Sequence, residues 1–125
     1  MSQFNDSQPI FIQIRQRITE MILSKAAREG EALPSVRQIS ADLSVNPLTV
    51  TRAYQSLVDI GAVESRRGMG MYVQEGARDR LLAHERQKFL TEDWPRVLAH
   101  MRALELDPAK LLDDAKPKKE GSEDE

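Results

Sequence analysis

Cysteine is absent from the 125 residues, which excludes disulfide frameworks, zinc fingers of the usual cysteine-bearing kinds and thiol nucleophiles together. Aromatic residues make up only 5%, so any core is mainly aliphatic. No long uncharged apolar run interrupts a chain that is 30% charged; the sequence therefore predicts no transmembrane helix and no signal-peptide core, and a cytoplasmic location. An overall basic balance is missing too, with 18 Lys+Arg against 20 Asp+Glu and a net charge of -2. Any acidic polymer would have to be met by a local patch.

Catalytic constellations are equally scarce. Ser35, Ser40 and Ser44 stand outside any G-x-S-x-G context, and no glycine-rich phosphate loop is present. His84-Glu85 lacks the second histidine four residues on that a zinc protease helix needs, and His84 and His100 fall on different predicted helices without companion ligands. The reading is no enzyme, no metal and no cofactor. At 14.2 kDa there is room for one ordinary domain and a small appendage.

What is present is patterned. Residues 1–75 hold 8 Lys+Arg against 8 Asp+Glu, whereas residues 76–125 hold 10 against 12, so the acidity belongs to the second half. Ile10, Phe11, Ile14, Ile18, Met21 and Ile22 recur at helical spacing from Pro9 to about Ala27. Ser35 caps a short helix with Val36, Ile39 and Leu43 turned inward. Asn46-Pro47 opens a third helix whose Val50, Ala53, Tyr54, Leu57 and Val58 share a face and whose end is marked by Gly61. Residues 62–66 and 70–74 then alternate like strands around Arg67-Gly68-Met69. The expected fold is mainly α: a winged helix-turn-helix over 1–75, made of three helices and a two-stranded hairpin wing.

Residues 76–115 read as a short all-helical region: one helix over 77–90, a second capped by Asp93, and a third opened by Asp107-Pro108. Its apolar positions, Leu81, Leu82, Phe89, Trp94, Val97, Leu98, Met101 and Leu104, are too few to bury themselves alone. They call for the winged domain or a second copy, and are read as a dimerisation surface. Residues 116–125 lack any apolar anchor and are expected to be a disordered acidic tail.

The face of the third helix opposite Val50, Tyr54 and Leu57 presents Leu48, Thr49, Thr51, Arg52, Gln55 and Asp59. Arg52 and Gln55 carry the donors that read guanine and adenine edges, Leu48 suits a thymine methyl, and Thr49 and Thr51 suit phosphates. Arg37 is placed near the start of that helix, and Arg66 and Arg67 beside Gly68 put two cations at a wing tip suited to a minor groove. A single surface arginine is usually just solvated; here four fall on one inferred face. A winged helix used as a protein-interaction module is the competing reading, and it calls for an apolar third-helix face.

Segments 9–14, 33–39, 43–47, 49–50, 52–54, Gly61 and 66–70 together resemble the DNA-binding domain of the GntR family of bacterial transcription regulators. The short helical remainder is similar to that of the family's YtrA-type subfamily. The resemblance implies a homodimeric regulator, usually a repressor, of a double-stranded DNA operator, often beside transporter genes. It implies contacts from Arg37, the stretch from Asn46 to Arg52, and Arg67-Gly68; Ser35 is a further candidate contact at the start of the second helix, and a dimer would set two recognition helices in successive major grooves, with half-sites of a pseudo-palindrome roughly one helical turn apart. Three departures stand out. Lys25 occupies a position where the family usually has a helix-ending glycine, which predicts a first helix running on toward Arg28. Leu48 replaces a commonly polar residue and Met69 a common wing lysine. No charged or aromatic cluster marks a small-molecule effector site.

Overall fold

The computed structural model describes residues 8–117, and the predicted tail lies largely outside them. The elements are α1 (Ile10–Leu23), α2 (Val36–Leu43), α3 (Pro47–Asp59), β1 (Val63–Arg66), β2 (Gly70–Val73), α4 (Ala77–Lys88), α5 (Trp94–Ala103) and α6 (Pro108–Asp114), with a π-helical turn over Phe89–Asp93 between α4 and α5. Among the described residues no helix is long and apolar enough to cross a membrane. The chain divides into two compact units, one ending at Glu85 and the other beginning at Arg86.

In the first unit local chemistry sets the helix ends. Ser35 Oγ accepts from the Gln38 amide at 3.0 Å while Gln38 Oε1 accepts from the Ser35 amide at 3.1 Å, a reciprocal cap that starts α2. Asn46 Oδ1 accepts from the Leu48 amide at 2.8 Å, and Pro47 follows at the first helical position, where its missing N–H costs nothing. Ser44 adopts a left-handed conformation to end α2, and Gly61 does the same after α3 at φ 81°, letting the Ala62 amide reach back to the Leu57 oxygen.

The core joins Ile14, Ile18 and Ile22 of α1 to Ile39 of α2, to Val50, Ala53, Tyr54 and Leu57 of α3, and to Val63 and Val73 of the hairpin. β1 and β2 pair antiparallel in the register Val63–Val73 and Arg66–Gly70, so the two core valines face each other. The turn between them holds Gly68 at φ 74°, a left-handed conformation that glycine adopts without strain. On its other side β2 meets residues 30–33: the Leu33 amide donates to Met71 O at 2.8 Å, Gly30 to Val73 O at 2.8 Å, and Val73 returns a bond to Glu31 O at 2.9 Å.

Three expectations are corrected. Helix α1 stops at Leu23, and Lys25 itself takes the left-handed conformation, at φ 68°, in place of the helix running on. The turn brings Ala27 into the core, where its amide donates to Met21 O at 2.9 Å. Leu81 is fully buried in the core of the first unit together with Ala77, so it is no part of an exposed dimerisation surface. Asp93 does not cap a new helix; it is itself helical, the Trp94 amide bonds back to Phe89 O, and the Asp93 carboxylate faces Lys88 and Arg96, each at 3.8 Å.

Arginines fasten the start of α4 within the first unit. Arg78 Nε donates to Leu23 O at 2.9 Å, satisfying a carbonyl left open at the end of α1. Arg80 Nη1 donates to Gly61 O at 3.0 Å and to Glu75 O at 2.8 Å. Arg15 and Glu85 pair at 3.3 Å. In the second unit, α5 ends with Glu105 left-handed, and Asp107 caps α6 by accepting from the Ala109 amide at 3.0 Å, as expected. No described residue of this unit is buried.

Candidate nucleic-acid interface

Helix α3 is two-faced. Val50, Ala53, Tyr54 and Leu57 are inaccessible to solvent, while Leu48, Thr51, Arg52 and Gln55 are exposed and Thr49 is half-buried. A 3.6-residue period with one face anchored leaves the other no choice but solvent. Leu48, at 76% exposed, sits at the N-terminal end of the helix with no hydrophobic cover.

The orientation of α3 against α2 is locked from beneath. The Tyr54 hydroxyl donates to Pro34 O, the residue preceding the Ser35 cap, so the buried side of α3 is tied to the start of α2. Burial favours the neutral phenol and lifts its pKa well above the ordinary tyrosine range. Between the helices, Ser40 Oγ donates to Val45 O at 2.6 Å and fixes the connecting turn.

The predicted polar residues are in different states. Arg37 and Arg67 are exposed and have no ion pair or hydrogen bond among the described residues. Arg52 is exposed, with its guanidinium carbon 3.8 Å from the ring centroid of Phe11 on α1. Gln55 donates from Nε2 to Asp59 Oδ1 at 2.9 Å, one turn along the same helix, leaving its second N–H and its carbonyl for other partners. Ser35 and Asn46 have their side-chain oxygens engaged in helix capping.

The two wing arginines differ. Arg66 lies over the Tyr72 ring at 4.0 Å and 3.6 Å from Glu64, so its charge is held against the hairpin. Arg67 extends from the turn itself. A Cβ added to Gly68 would meet nothing within 4 Å, so the turn is open at that point. The sequence reading placed both arginines at the tip and missed the rings beneath Arg66 and Arg52. Phe11 and Tyr72 fit the apolar periodicity of their elements, and nothing in spacing separates a ring that packs from one that also carries a cation.

Chemically, this surface offers planar guanidinium donors, an amide, hydroxyls and one apolar contact beside a short open loop. That set matches base edges and phosphates, and no cluster of metal-ligating groups occurs among the described residues.

The comparisons with known proteins agree with this geometry. Residues 12–73 match the bacterial regulatory proteins of the gntR family. The chain is 32% identical over 120 residues to the uncharacterized HTH-type transcriptional regulator YhcF of Bacillus subtilis, covering 96% of this chain and 98% of that one. It is 40% identical over 76 residues to the HTH-type transcriptional repressor YtrA of the same organism, covering 61% of this chain and 58% of that protein. A GntR family transcriptional regulator from Listeria monocytogenes superposes with a TM-score of 0.71 at 31% identity, covering 88% of this chain and 95% of the other. All three are named as transcriptional regulators or repressors. The chain belongs to the gntR family of bacterial regulatory proteins, and it is a DNA-binding transcriptional regulator.

Proposed function

We propose that the protein is a cytoplasmic homodimeric repressor that places α3 of each protomer in successive major grooves of a pseudo-palindromic operator. The observation that carries the reading is the exposed row Leu48, Thr51, Arg52 and Gln55 on a rigidly seated helix, flanked by the unpaired Arg37 and Arg67. Arg52 and Gln55 read base edges, Leu48 meets a thymine methyl, and Thr49, Thr51 and Arg37 meet phosphates, as do the Ser35 and Asn46 backbone segments at the helix starts. Arg67, beside Gly68, enters the minor groove, with Arg66 supporting it from the hairpin. The repressor role follows the similarity to YtrA, which is named a repressor.

Dimerisation is assigned to the second unit together with the half-buried Leu82. Phe89, Val97 and Leu104 are exposed, Trp94, Leu98 and Met101 are half-buried, and Leu111 and Leu112 add to the surface. A unit of about thirty described residues with none buried gains its core by pairing with a second copy.

A gel shift against the DNA upstream of the protein's own gene, with light scattering on the free protein, tests both parts. A dimer that retards this duplex at salt-dependent affinity is expected. Arg37→Ala and Arg67→Ala should each weaken binding roughly tenfold. Wild-type affinity in both variants would remove those contacts, and binding to a protein partner with no DNA binding would favour the interaction-module reading.

A further inference from the structure

The cation–π contact between α1 and α3 joins a residue of the proposed reading face to one that the reading face does not include. Phe11 sits in the first turn of α1, where the Ile12 and Gln13 amides both donate to Pro9 O, at 3.1 and 3.3 Å. Its ring is half-buried and packs against the main core. It is therefore a fixed platform. The Arg52 guanidinium carbon lies over it, 3.8 Å from the ring centroid.

We propose that Phe11 is a positioning residue for operator recognition, holding the Arg52 guanidinium in the orientation that reads a base. The proposal rests on the DNA reading of α3 given above. Its physical basis is independent of that reading. A guanidinium carries all its N–H donors in its own plane, so stacking one face on a ring leaves the edge that pairs with guanine O6 and N7 exposed. A free arginine samples many rotamers and must be ordered on binding; one already resting on a ring loses less. The attraction of the ring face for a cation supplies the restraint. A lysine at this position would keep the charge and lose both the plane and the fork. Helix α1 in this way contributes to base selection without touching the duplex.

The test uses the full chain and two duplexes: one enriched from a random-sequence pool by the wild-type protein, and a scrambled duplex of the same composition. Phe11→Leu keeps an apolar side chain and removes the ring. It should weaken binding to the enriched duplex by on the order of 5- to 30-fold for the two copies in a dimer, and leave the scrambled duplex within about twofold. Phe11→Tyr should restore wild-type preference, and Phe11→Leu should have no further effect in an Arg52→Ala background. Arg52→Lys leaves the α1 packing untouched and should lose the preference to the same degree, which covers the case in which Phe11→Leu fails to fold. Unchanged preference in Phe11→Leu or in Arg52→Lys, an equal loss on both duplexes, or a loss that persists in the Arg52→Ala background would overturn the proposal while leaving DNA binding intact. Failure of the pool to enrich any sequence would overturn the DNA reading, and this proposal with it.

Discussion

Replacing Leu81 by alanine separates two accounts of the start of α4. In the structure Leu81 is 0% exposed within a single chain, in the same cluster as Val63, Val73 and Leu57. Removing a fully buried leucine side chain to alanine costs about 2–5 kcal/mol, the spread reflecting how far the surroundings collapse. The unit concerned ends at Glu85. For a domain of that size each kcal/mol moves the melting temperature by roughly 4–8 °C, so a fall of roughly 8–40 °C is expected by circular dichroism, with self-association, where it occurs, unaffected at temperatures below the transition. Were Leu81 instead an exposed residue awaiting a second copy, the monomer fold would lose at most about 0.5 kcal/mol, and light scattering would show dissociation instead. A variant that melts within about 2 °C of wild type but is monomeric would refute the placement of Leu81 in the core. A matching pair of truncations sharpens the point: a chain ending at Glu85 should melt cooperatively. One ending at Gly76 loses Leu81, Arg78 and Arg80 together and should not.

Lys25→Gly relieves a left-handed conformation that costs an L-residue roughly 1–2 kcal/mol, offset by the greater freedom of glycine in the unfolded chain; urea denaturation should show a net gain of about 0.5–1 kcal/mol, and a loss would contradict the φ of 68° at this position. Operator affinity should fall by roughly 10³–10⁵ between 50 and 200 mM salt if a dimer makes about 6–10 phosphate contacts; a flat response in fluorescence anisotropy would contradict the phosphate contacts proposed for the interface, that of Arg37 among them. The Tyr54 pKa is raised above its ordinary 10.0 by burial, so the folded state favours the protonated phenol: its contribution is complete below about pH 10 and is lost as pH rises beyond that. Urea melts over the alkaline range should show this decline in the wild type and a shallower one in Tyr54→Phe, which should also lose about 1–2 kcal/mol at neutral pH for the hydrogen bond to Pro34 O.

The features legible in the sequence are those set within a few residues of chain. Ser35 with Gln38, Asn46 with Pro47, and Asp107 with Pro108 each satisfy helix-end amides by local bonds, so residue type and spacing suffice. The buried face of α3 follows from periodicity, and the wing turn from Gly68. The misread features depend on distant partners. Lys25 turns left-handed because Ala27 is drawn into the core, although lysine has no preference for that conformation. Leu81 and Leu82 are adjacent and alike; only the packing of α4 decides that the first is fully buried and the second half-buried. Asp93 looked like a helix cap, but the π-helical turn keeps the backbone helical through it, and the carboxylate turns to Lys88 and Arg96. Two arginines came to rest on aromatic rings of other elements or strands, which no period records.

The strip of chain at residues 30–33 that bonds to β2 has a bearing on solubility. A two-stranded hairpin ordinarily presents two rows of unpaired backbone groups, each able to recruit a strand from another molecule. Here Leu33, Gly30 and Glu31 occupy the β2 side. The β1 side that remains is four residues long and includes Glu64 and Arg66, a short and charged edge that gives an incoming chain little to build on. The wing thus leaves little open edge on which copies of the regulator, crowded near an operator, could grow into aggregates.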